Sequence, residues 1–247
     1  MPEVMVLCYH AVSPSWDATL AVTPDRLERQ LTALRRRGWR GATFRDAVFN
    51  PPAERTLSVT FDDAFASVGR LAYPILSSLG LPGTVFAPSA FMSSEQPLSW
   101  PGIEHWLRTP SASELESMSW EGLGRLVQEG WEVGSHTRTH PHLTQLDESA
   151  LRTELEQSRE EIAGRLGIRC DTIAYPYGDV DSRVAEAALA AGYVAGASLS
   201  RPLTPLGPER WPRIGVYHDD PMWRFRLKVS RAVRYLRARY WPTSPES

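Results

Sequence analysis

Apolar residues along the chain follow two alternating rhythms. Short continuous apolar runs, Val4–Tyr9, Leu57–Phe61, Gly83–Ala87, Trp131–Ser135, Thr172–Tyr175, Tyr193–Ser198 and Arg213–Val216, read as strands covered on both faces. Between them apolar positions recur at helical spacing. Leu27, Leu31 and Leu34 follow Thr23 and Pro24 and precede Gly38. Leu151, Leu155, Ile162 and Leu166 follow Asp147, and Val184, Ala188 and Ala191 follow Asp181. A capping side chain before each pattern and a glycine after it mark helix ends. Ser119 and Gly130 bracket a further helix, and another ends near Gly80. This alternation predicts an α/β fold with a parallel sheet between helices. About seven such units without a G-x-G-x-x-G loop favour a (β/α) barrel over an open dinucleotide-binding sheet.

Two segments stand outside the alternation. Residues 88–117, rich in Ser, Pro, Trp and Glu, read as a long insertion on the barrel rim. The stretch from Met222 to Trp241 carries seven basic residues and no acidic ones. There Phe225, Val229, Ala232, Val233, Leu236 and Tyr240 share one helical face, with Trp223 and Trp241 at the ends. We therefore expect a barrel domain over 1–221 and a basic amphipathic helix and tail over 222–247. That helix either closes the barrel or rests on an anionic membrane surface through 222–241.

Composition changes this picture little. The 247 residues are 42% hydrophobic with a net charge of −2, which suits a globular core and excludes the basic footprint of a nucleic-acid binder. The two cysteines, Cys8 and Cys170, lie in apolar runs and read as core residues rather than a disulfide framework. The first residues lack a basic n-region and the roughly 7–15-residue apolar run of a secretory signal. No stretch approaches the roughly 20 apolar residues of a membrane span. A cytoplasmic protein, peripheral at the cytoplasmic membrane face if the C-terminal helix binds lipid, is the expectation.

The chemistry lies where strands end. "VTFDD" closes a strand on Asp62 and Asp63, and "WEVGSHTRTH" closes another on His136, with His140 four residues on. In a barrel the loops after the strands build the site. Residues four apart share one face of a helical turn, and Pro141 should stop such a turn at His140. Two imidazoles and a carboxylate form the ligand set of an open, catalytic metal site. One aspartate would then bind the cation while the other stays beside it as a base.

"TFDD", "SHTRTHPHLT", "YPYG" and the opening "VLCYH" together resemble the polysaccharide deacetylases that share the NodB homology domain. The resemblance spans roughly residues 4–217. It implies a deformed (β/α) barrel, a divalent metal, and hydrolysis of N-acetyl or O-acetyl groups on sugars. Zinc is the expected cation, with cobalt and nickel as alternatives. Carried over by position, Asp63, His136 and His140 match the metal ligands and Asp62 the general base. The backbone N–H of Tyr177 matches the oxyanion donor and His10 the general acid. His218 is the rival acid, and His142 reads as a surface residue. Two departures stand out. Ala174 occupies the place where many relatives carry an arginine that pairs with the base, so Arg213 becomes the candidate to orient Asp62. Ala64 follows the aspartates where glycine is common, which suggests a different turn. Trp100, Trp106 and Trp120 would suit stacking on sugar rings or packing of the insertion. A hydrolase of another non-peptide C–N bond, such as a cyclic amide, remains an alternative. So does a non-catalytic metal- or glycan-binding protein, against which the retained Asp62 and His10 argue.

Overall fold

The computed structural model describes residues 2–92, 96–199, 203 and 205–239. Its parallel strands are β1 (Glu3–Tyr9), β2 (Arg55–Phe61), β3 (Thr84–Ala87), β4 (Glu132–Ser135), β5 (Thr172–Ala174), β6 (Ala195–Ser198), β7 (Trp211–Pro212) and β8 (Ile214–Gly215). Their spatial order is β7-β6-β5-β4-β3-β2-β1-β8. Strands β7 and β8 are one stretch of extended chain interrupted by Arg213. On one side it pairs with β6, and on the other with β1 through Leu7↔Ile214 and Cys8↔Gly215. The path therefore returns to its start as a nearly closed barrel. A short strand, Arg40–Ala42, lines the lower half of β2 outside this path.

The caps read from sequence are in place. Thr23, Ser119, Asp147 and Asp181 each accept a backbone N–H in the first turn of helices α1 (Pro24–Arg35), α4 (Trp120–Gln128), α5 (Glu148–Leu166) and α6 (Ser182–Ala190). Helices α2 (Phe44–Phe49) and α3 (Tyr73–Ser78) complete the wall. Apolar side chains between strands and helices form the main core, while Val6, Phe86, Ala174, Ala195 and Ala197 fill a smaller one with Phe44.

The C-terminal stretch departs from a single amphipathic helix. It folds as α7 (Met222–Lys228) and α8 (Arg231–Arg239), broken where Ser230 caps the second by accepting the Val233 N–H at 3.3 Å. Phe225 and Val229 are buried, but Ala232 and Leu236 face solvent. Tyr240 and Trp241 lie outside the described residues. Helix α8 sits at the end of the barrel where strands begin. Arg234 pairs with Glu3 of β1 and stacks over Trp39 at 5.3 Å.

Candidate active site

Strand register delivers the site. Tyr9↔Phe61 is the last pair of β1 and β2, so the next residues, His10 and Asp62, emerge together. Asp62 N–H extends the ladder by donating to Tyr9 O at 3.0 Å. Likewise Ala87↔Ser135 ends β3 and β4, and His136 follows with its N–H on Ala87 O at 2.9 Å. Among the described residues, the five non-glycines with positive φ are Asp63, Ala64, Thr137, His140 and Tyr177. All belong to loops of this site. Each such residue costs roughly 1–3 kcal/mol, which the surrounding structure has to offset. Ala64 adopts the left-handed turn that glycine would take (φ 52), so alanine here changes the cost of the turn and not its shape.

The segment from His136 to His140 is an irregular loop, not the helical turn expected from its spacing. Thr137 and His140 are left-handed, so the two imidazoles converge by a different route. A residue invisible to motif reading holds the loop. Glu154, nearly buried on α5, accepts Arg138 N–H and Thr139 N–H at 2.8 Å each and the Thr139 hydroxyl at 2.6 Å. Ser158 and Ser135 tie down its start, and the Thr137 hydroxyl accepts His140 N–H.

The result is a buried trio. His136 Nε2 and His140 Nε2 each stand 3.3 Å from Asp63 Oδ1. That oxygen, fully buried, has no hydrogen-bond partner of acceptable geometry among the described residues. Two ligands on a tetrahedral zinc ion at about 2.0–2.1 Å stand roughly 3.3 Å apart, so this spacing suits a shared cation better than a direct contact. His136 Nδ1 meets Ala174 O at 2.8 Å, a second contact that fixes the ring for binding through Nε2. Burial would raise the Asp63 carboxyl, but the two imidazoles facing it at 3.3 Å hold it far below the usual range. The three residues could hold a metal.

Asp62 points elsewhere. Arg213 Nη1 and Nη2 grip its two oxygens at 2.6 and 2.8 Å, with both side chains buried. Thr60 Oγ1 takes a further Arg213 N–H at 3.0 Å. Burial alone would raise Asp62, yet the guanidinium overrides it and brings the carboxyl to about 2. Cys8 adds a thiol donor at 3.4 Å from Oδ2; burial keeps it protonated well above its ordinary range. Cys8, His10 and Asp62 form a second cluster of potential ligand atoms, but Arg213 already places a fixed positive charge on that carboxylate. His10 is buried, stacks on Tyr217 at 6.3 Å, and its Nδ1 has no hydrogen-bond partner among the described residues. Burial lowers its pKa against the opposing pull of Asp63 and Asp62.

Tyr177 (φ 60) forms the corner of the 176–178 turn, whose other N–H groups, of Gly178 and Asp179, bond to Tyr175 O and Pro176 O. Its ring stands steeply inclined to that of His140 at 4.7 Å and stacks on His142 at 3.9 Å, and its hydroxyl donates to Pro101 O at 3.3 Å. His142 is thus a neighbour of the site rather than a bystander. The His218 backbone is tied to the Thr19 carbonyl and the Arg26 guanidinium, and no ion pair or hydrogen bond joins its ring to Asp62 or Asp63 among the described residues. The insertion is pinned by Ala66 N–H on Glu116 O, Met118 N–H on Ala64 O and Ser13 on Glu114. Trp100 is buried against His140, and the partly buried Trp106 packs edge-on against Trp16, so both take part in packing the insertion.

The parallel (β/α) barrel places its carboxylates and imidazoles at strand ends, where barrels of this kind build their active sites. The family model for polysaccharide deacetylase matches residues 49–196, and the chain belongs to that family. Among curated proteins it is 23% identical over 201 residues to YxkH of Bacillus subtilis, named after the same family. It is 27% identical over 176 residues to the poly-beta-1,6-N-acetyl-D-glucosamine N-deacetylase of Staphylococcus aureus. These matches cover 79% and 67% of this chain but only 64% and 56% of those proteins. The fold is shared with the Streptococcus pyogenes deacetylase PplD, solved with acetate, at TM-score 0.75 and 21% identity over 93% of this chain and 100% of that one. IcaB from Ammonifex degensii aligns at TM-score 0.68 and 25% identity over 87% and 92%.

Proposed function

We propose that this chain hydrolyses N-acetyl groups on an amino sugar with a divalent cation, zinc in the first instance, held by Asp63, His136 and His140. The observation that carries the reading is the pairing of two unlike carboxylates at one strand end. Asp63 faces two imidazoles across a cation-sized gap, and Asp62 is turned away and locked by Arg213. A binding protein has no use for the second. A cation bound by the trio would bring the pKa of a water toward about 7 and polarise an acetyl carbonyl.

The chain's own groups divide the remaining work. Asp62 stays ionised and accepts the water's proton, with Arg213 fixing its orientation and Cys8 adding a donor. The Tyr177 N–H, left out of its turn's hydrogen bonds, supports the oxyanion that forms at the acetyl carbonyl oxygen when its carbon is attacked. His10, beside Asp62, takes up that proton and delivers it to the departing amine. One observation favours a second division of labour. An Asp62 near pKa 2 is a feeble base, whereas His10, lowered by burial, starts neutral and can itself take the water's proton.

Acetate release tests the function. The substrates are poly-N-acetylglucosamine, N-acetylated oligosaccharides, nucleotide sugars and O-acetylated sugars, with chelation and metal add-back. We expect metal-dependent acetate from an N-acetylated member, and retention of the metal with loss of turnover in Asp62→Asn. Opening of cyclic amides without acetate from any sugar would replace the proposal with the other C–N hydrolase.

A further inference from the structure

The two histidines of the trio are supported differently. His136 offers its second nitrogen to Ala174 O at 2.8 Å. His140 Nδ1 is buried and has no hydrogen-bond partner among the described residues. Ligand imidazoles ordinarily donate that N–H to an oxygen, which fixes the ring. At His140 an aromatic enclosure stands in its place. The Trp100 ring lies face to face with the imidazole at 4.1 Å and 18°, and the Tyr177 and His136 rings stand steeply inclined to it at 4.7 and 4.8 Å. Trp100 is itself held firmly. Phe91 packs against it edge-on at 5.3 Å, and its carbonyl accepts the N–H groups of Ile103 and Glu104. Only 6% of Trp100 is exposed.

We infer that Trp100 is a positioning residue for His140, holding the ring by stacking where a hydrogen bond would ordinarily hold it. An imidazole whose Nε2 donates to a cation grows more positive, and the electron-rich indole face attracts it more strongly. The 88–117 insertion thereby sets the affinity of a centre whose ligands all come from barrel loops. The inference rests on Asp63, His136 and His140 being the ligands.

Zinc dissociation constants, measured on the full chain by competition with a chromophoric chelator, test it in wild type, Trp100→Phe, Trp100→Leu and His136→Ala. Trp100→Leu should weaken zinc by about 10–100-fold, the range for losing a ligand's outer support. Trp100→Phe, which keeps a ring face, should recover most of this, and the visible spectrum of the cobalt-loaded Leu variant should shift from wild type. Metal-free melting is followed in parallel. A Leu variant that binds zinc like wild type overturns the inference, whether or not its melting falls. Equal losses in Phe and Leu overturn the stacking account. Zinc binding by His136→Ala equal to wild type would fell the ligand assignment itself, and the inference with it.

Discussion

Arg213→Met keeps a long apolar stem and deletes the guanidinium that grips Asp62. The consequence can be worked from the structure. Both partners are buried, so the substitution strands a carboxylate without its counter-charge. Breaking such a pair costs about 3–5 kcal/mol, or roughly 6–20 °C in melting for a chain of this size. Part of the loss depends on pH. Asp62 is lowered from 3.8 to about 2, a gap worth roughly 2 kcal/mol at 1.36 kcal/mol per unit. Because the folded pKa is the depressed one, this stabilisation is complete above the unfolded value and fades as pH falls toward the folded one. About half of it should be gone by pH 3. Urea melts of wild type and Arg213→Met at pH 7 and pH 3 measure the difference. Adding Asp62→Asn to Arg213→Met should recover stability, since the stranded charge is gone, and with the single Asp62→Asn variant the four proteins make a double-mutant cycle. A loss at pH 7 well under about 1 kcal/mol would place the pair among screened surface contacts. A loss that does not shrink at pH 3 would show that Asp62 is not the group responsible.

Three further outcomes follow from the geometry. His10→Ala should cost about 10²–10⁴-fold in turnover on a substrate with a poor leaving amine, while His218→Ala leaves it nearly unchanged; a large loss from His218 alone reverses the assignment. Glu154→Ala removes three hydrogen bonds from the 138–139 loop and should weaken zinc by about 10–100-fold, whereas Glu154→Gln, which keeps an acceptor oxygen, should lose less; a chelator titration that separates neither variant from wild type refutes the clamp. Trp223, Leu227, Tyr235 and Leu236 are exposed beside Arg226 and Arg231, so the full chain should pellet with phosphatidylglycerol vesicles at low salt. Trp223→Ser with Leu227→Ser should release it, and equal pelleting of that variant would exclude this surface.

The strands and the site's membership were legible because each depends on local pattern. An apolar run that ends on "DD" or "SH" says both where the strand stops and what it presents. Conformation between those residues was not. The spacing of His136 and His140 pointed to a helical turn, but left-handed Thr137 and His140 bring the rings together instead. The reason lies on α5, where Glu154 binds the loop from an element with no visible tie to the motif. Arg213 was nameable only as a candidate, since nothing in "WPRIGVY" says that its side chain is wholly buried on Asp62. The C-terminal periodicity survived as burial of Phe225 and Val229, yet hydrophobic spacing could not register the break at Ser230, which depends on a capping hydroxyl.

Barrel closure by the Arg213 stretch has a consequence for recombination. The matched family region, 49–196, contains Asp62, Asp63, His136, His140 and Tyr177. It omits the first and last strands, which lie side by side through Leu7↔Ile214 and bring His10 and Arg213. A cassette swapped between relatives at those limits would carry the carboxylate but leave its counter-ion and neighbouring imidazole to the host. Chimeras should therefore succeed or fail on whether the host's two flanking segments were inherited as a pair.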